Sequence, residues 1–84
     1  MKTLKIEPLG WPCTLEECPP GFFIYAQSLC FKTEYKTEKG LPEAYCESGE
    51  CFIGGTSSAD EFKNLIVQPC EARWYVEDLD QLAL

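Results

Sequence analysis

The chain has 84 residues, 45% hydrophobic and 13% aromatic, with six cysteines, no histidine and a net charge of −7. That length allows one domain, whose core buries only about 60–65% of the surface of the unfolded chain, so added staples would stabilise it. The aromatic content excludes a disordered chain, the negative charge disfavours direct binding of nucleic acid, and no apolar run approaches the ~18–20 residues of a membrane span.

The charge is unevenly placed. Over residues 1–40, Lys2, Lys5, Lys32, Lys36 and Lys39 balance Glu7, Glu16, Glu17, Glu34 and Glu38, whereas residues 41–84 carry nine acids against Lys63 and Arg73. An acidic second half suits a basic surface on a protein partner, although acidic residues also serve plain solubility. Residues 1–5 begin as an export signal would. Glu7, Pro8 and Gly10 then interrupt any apolar segment of about 7–15 residues, so a cytoplasmic location is expected.

Residues 1–21 read as a Pro/Gly-rich arm. Pro8, Gly10, Pro12, Pro19, Pro20 and Gly21 fix φ or remove backbone donors at short intervals, so no regular structure is expected between Glu7 and Gly21. A β body over residues 22–76 follows. Residues 22–25 and 29–35 are rich in aromatic and β-branched side chains, and Leu29, Phe31, Thr33 and Tyr35 alternate with Cys30, Lys32 and Glu34. Ala26-Gln27-Ser28 links the two as a hairpin, without the Asn-Gly or Asp-Gly that would set its turn type.

After a charged loop from Lys36 to Pro42, a second hairpin is expected at Ser48-Gly49. A two-residue loop there would set Cys46 opposite Cys51; a three-residue loop with Gly49 in a left-handed bulge would shift that register. Ser58-Ala59-Asp60-Glu61 matches a capping box and opens a short helix at about residues 59–65. Residues 65–68 read as a strand closed by Pro69, residues 73–76 as a last strand, and residues 77–84 as an acidic tail. The fold class expected is mainly β (small α+β), an antiparallel meander or partly closed barrel of five or six strands with one short helix.

Four cysteines form two Cys-x-x-x-x-Cys pairs, Cys13/Cys18 and Cys46/Cys51. Together they could supply four thiolates to a structural zinc, the one cofactor the sequence suggests, although zinc ribbons generally use two-residue spacers. Disulfides are a second reading, with Cys46–Cys51 bridging its hairpin, and would need an oxidising compartment. In the third reading the cysteines are small buried hydrophobes. A catalytic thiol lacks a histidine base, and no other catalytic signature is visible, so an enzyme is not expected.

Gly54-Gly55-Thr56-Ser57-Ser58 leads into a helix N-terminus that Asp60 and Glu61 already complement, so a capped turn is favoured over an anion site. Glu43, Glu47 and Glu50 gather near one hairpin without the Asp-x-Asp spacing of a hard-cation site. Among the aromatic residues, Trp11, Tyr35, Trp74 and Tyr75 are the candidates for an exposed contact patch.

The segments Pro20-Gly21-Phe22-Phe23, residues 29–35, Glu43-Ala44-Tyr45, Ser48-Gly49-Glu50, Phe52, Gly54-Gly55 and residues 65–69 together resemble short proteins of phage and prophage genomes. The likeness covers about residues 19–70 and brings no activity that transfers to a residue. It implies an accessory protein working in the host cytoplasm. The function expected is therefore a non-enzymatic binding module or inhibitor that engages a basic protein surface through Glu43, Glu47, Glu50, Glu71 and Glu77 with Trp74 and Tyr75. The rivals are a zinc-binding interaction module and a disulfide-stapled secreted effector.

Overall fold

A computed structural model describes residues 2–76, with side chains from residue 3 to residue 73. Its elements are β1 (Lys2–Pro8), β2 (Cys13–Thr14), β3 (Gly21–Tyr25), β4 (Ser28–Lys36), β5 (Pro42–Cys46), α1 (Ala59–Lys63) and β6 (Ile66–Val76). The strands form an antiparallel sheet in the order β1-β6-β3-β4-β5, with β2 also paired to β6, and the sheet is open rather than closed into a barrel. Only β3-β4-β5 runs as a meander; the last strand sits between the first and the third.

The first segment departs from the irregular arm expected of it. Residues 2–8 are a strand, in register with β6 from Lys2↔Val76 to Pro8↔Cys70. The alternation Leu4, Ile6, Pro8 against Thr3, Lys5, Glu7 is a strand pattern that needs a partner 60 or more residues away, and β6 supplies it.

The two strands expected at 65–68 and 73–76 are one strand, Ile66–Val76, that runs through Pro69 rather than stopping there. Pro69 accepts at its carbonyl from Leu9 N–H (2.9 Å), on the side where β1 gives way to β2. In an antiparallel strand a residue's N–H and C=O point the same way, so the donor that proline lacks falls at that break. There Leu9 to Pro12 bulge outward, between Pro8↔Cys70 and Cys13↔Val67. A proline is tolerated in a central strand at such a bulge.

The β3–β4 hairpin closes with Tyr25 opposite Ser28, leaving a two-residue turn. Ala26 and Gln27 both adopt positive φ, 48° and 67°, which is the handedness a type I′ turn demands even without glycine. The helix begins as expected, with Ser58 Oγ accepting from Glu61 N–H at 3.1 Å, while the Glu61 carboxylate takes the N–H of Ser57. It ends two residues early at Lys63, capped by Asn64, whose N–H and side-chain amide both reach the Asp60 carbonyl.

Alternation gives the sheet two unlike faces. On one, Phe23, Cys30, Ala44 and Val67 pack with Leu15, Cys18, Phe52 and Phe62 into the core. Phe52 is its hub, with ring centroids 5.2 Å from Phe23, 5.4 Å from Tyr25 and 6.1 Å from Phe62. Leu4, Ile6, Phe22 and Phe31 occupy the other face and stay 36–41% exposed. The strand alternation of β4 thus resolves with Cys30 and Lys32 inward and Phe31 outward.

Candidate functional site

The expected facing of Cys46 and Cys51 is not what forms. Cys51 bridges to Tyr45, and Gly49 takes φ 89°, the left-handed bulge that shifts the register by one residue. Cys46 faces Cys30 instead, across β4 and β5. The Cys46 N–H donates to Glu50 O at 2.8 Å and Ala44 O accepts from Phe52 N–H at 2.9 Å, so both peptides point away from β4. Cys30 and Cys46 therefore make a non-hydrogen-bonded pair, the narrower kind, whose Cα atoms typically stand about 4.5 Å apart. Burial, and then the adjacent Cys46, push the Cys30 thiol up to about 11.

The other two members of the proposed zinc set do come together. Cys13 stands on β2, Cys18 is buried in the core, and a turn in which Cys18 N–H bonds Thr14 O (2.9 Å) brings the two thiols into contact. Burial raises the Cys18 thiol to about 11, with Cys13 adding to the effect. The four cysteines are thus divided between different neighbours, Cys51 being exposed. Among the described residues no three His, Cys, Asp or Glu side chains gather so as to hold a metal ion. A four-thiolate zinc would need Cys46 and Cys51 to join Cys13 and Cys18, whereas here Cys46 faces Cys30 and Cys51 faces Tyr45.

Sequence reasoning missed Lys32. Its side chain is only 8% exposed, and Nζ donates to the carbonyls of Leu15 (2.8 Å), Glu16 (3.1 Å) and Cys18. Burial lowers its pKa, while the nearby Cys18 and Cys13 act to raise it. All three ammonium donors are used, so the lysine fastens the 15–18 loop over the sheet. A shared parity with Cys30 was the one sequence signal available, and it carries no mark of burial by itself.

The open sheet face gathers part of the expected partner surface. Phe22 and Phe31 meet edge to face with centroids 5.2 Å apart, and Phe31 is in register with Tyr45. The Tyr45 hydroxyl donates to the Glu43 carboxylate, a bond that raises the tyrosine pKa. Glu47 and Glu50 are exposed at the adjoining tip. Glu71 lies on the opposite face of the β1–β6 ribbon and is ion-paired to Arg73. Trp74 and Tyr75 stand in register with Leu4 and Thr3; their side chains and all of Glu77 lie outside the described residues. Trp11 and Tyr35 are 87% and 70% exposed, well apart from core duty.

On the core side, a cleft of about 350 Å³ opens between β5, the 51–58 loop and α1, lined chiefly by Leu41, Ala44, Phe52, Ile53 and Phe62. The Gly54-Gly55 turn borders it as a capped turn: Gly54, at φ 66°, has no room for a Cβ, which would lie 2.4 Å from Leu65 Cδ1. No helix among the described residues is long and apolar enough to cross a membrane. Comparison with protein-family models, with curated proteins and with solved structures finds no match.

Proposed function

We propose that the chain is a non-catalytic binding module or inhibitor whose open sheet face docks on a basic surface of a protein partner, as a phage-type accessory protein would dock on a host protein. The observation that carries this reading is the apolar row Leu4, Ile6, Phe22 and Phe31, each 36–41% exposed on one sheet face, which ends at Tyr45 and Glu43. Apolar area of this kind stabilises an interface by roughly 25 cal/mol per Å² before the costs of association. Glu43, Glu47 and Glu50 at its border give the face a sign, and complementary charge acts mainly on the rate of encounter. The nine acids against two bases in residues 41–84 supply the longer-range field.

The test is a parallel capture from host extract with the wild-type chain, with Phe22→Ser/Phe31→Ser, and with Glu43→Gln/Glu47→Gln/Glu50→Gln. A partner retained by the wild type should be lost from the first variant, and should associate more slowly with the second at low salt. Retention of the same partner by the serine variant, with unchanged association of the glutamine variant, would sink the proposal.

A further inference from the structure

We propose that Cys30 and Cys46 are a disulfide-forming site, a cross-strand dithiol that closes in place and ties the edge strand β5 to β4. The two residues are direct register partners, and the neighbouring hydrogen bonds of Cys46 and Ala44 make theirs the narrow, non-hydrogen-bonded pairing. The Cα separation typical of such a pair, about 4.5 Å, falls within the ~4.4–6.8 Å that a disulfide spans. Both side chains lie on the core face, with Cys30 buried and Cys46 partly buried against the same cluster. Cys51, the partner that spacing alone suggests for Cys46, is opposite Tyr45 and one residue out of register.

Accessibility orders the chemistry. Cys46 is the more exposed of the two and meets the oxidant first, a low-molecular-weight disulfide such as oxidised glutathione. The Cys46 thiolate attacks one sulfur of that disulfide, the S–S bond breaks, and one thiolate leaves and takes up a proton. Cys30, having given its proton to solvent, then attacks Cys46 Sγ in the mixed disulfide, and the second thiol departs. Two protein thiols are oxidised and one small disulfide is reduced to two thiols. Burial keeps Cys30 protonated at neutral pH, so the second step is the slow one and quickens as pH rises. The product restrains an edge strand that carries Glu43 and Tyr45.

The experiment equilibrates the folded chain with oxidised glutathione, alkylates the remaining thiols and maps non-reduced peptides. Trypsin, a glutamate-specific protease and chymotrypsin together cut between Cys46 and Cys51 at Glu47 and Glu50, and between Cys18 and Cys30 at Phe22 to Tyr25. The expected result is a Cys30–Cys46 linked peptide, about 2 Da lighter than the sum of the two reduced peptides. It should be absent from Cys46→Ser, which should instead trap no glutathione on Cys30. A Cys46–Cys51 link, or Cys46 glutathionylated with Cys30 alkylated as a free thiol, overturns the proposal. Because the wild-type map alone decides between these outcomes, the result does not depend on any variant folding.

Discussion

The β3–β4–β5 body and the β1–β6 ribbon are built from the same kind of strand but held by different forces. In the body, one face is sealed by Leu15, Cys18, Phe52 and Phe62, and Phe23 is completely buried. In the ribbon, every described β1 side chain is exposed, and what joins the strands is the backbone ladder over seven register pairs. Like charges even face each other there, Lys5 with Arg73 and Glu7 with Glu71, relieved by the ion pair between Arg73 and Glu71. A two-stranded ribbon without a covered face is marginal by itself, so its stability is borrowed from the central strand it shares with the body.

Breaking each region should show that asymmetry. Phe23→Ala should cost about 3–5 kcal/mol by emptying the core, whereas Ile6→Ala, at 41% exposure, should cost under about 1 kcal/mol. Urea unfolding of the two variants measures the difference, and equal losses would mean that the ribbon is part of the same cooperative core. Lys32→Met should cost about 1–3 kcal/mol, since it keeps the length of the stem but leaves the Leu15, Glu16 and Cys18 carbonyls without their donor. An unchanged urea midpoint for that variant would remove Lys32 as the fastening of the 15–18 loop.

A further effect follows from pH. Cys18 and Cys30 ionise near 9.0 when unfolded and at about 11 when folded, so between these values the native chain holds more protons. Their contribution is complete below pH 9.0 and is lost as pH rises through about 11. Lys32, lowered from 10.5, works with the opposite sign just below that value, because there the unfolded chain holds the extra proton. Urea midpoints compared at about pH 8 and about pH 11 should therefore fall in the wild type and fall further in Lys32→Met. A flat profile would show that the thiols are not held in a desolvated core.

Local sequence carried the elements whose causes are local. The β3–β4 hairpin, the capping interaction of Ser58 with Glu61 and the mainly β class are legible because alternation and cap chemistry act over a few residues. Of the residues proposed for a partner surface, Glu43 stands beside Tyr45 on the open face, while Glu71 is ion-paired to Arg73 within the ribbon. The cysteine spacing was misleading, because the bulge at Gly49 sets Cys51 opposite Tyr45 rather than Cys46, while on its other side β5 pairs Cys46 with Cys30 of β4.

What the sequence determined by itself is the supply of strands, turns and a short capped helix, together with an acidic second half. Tertiary structure alone decided which strand lies in the centre, which face of β4 is buried and which thiols meet. Those outcomes depend on partners far apart in the chain: β6 completes β1, and the 15–18 carbonyls draw Lys32 inward. A period-two pattern specifies that two faces differ but not which one the rest of the chain will cover.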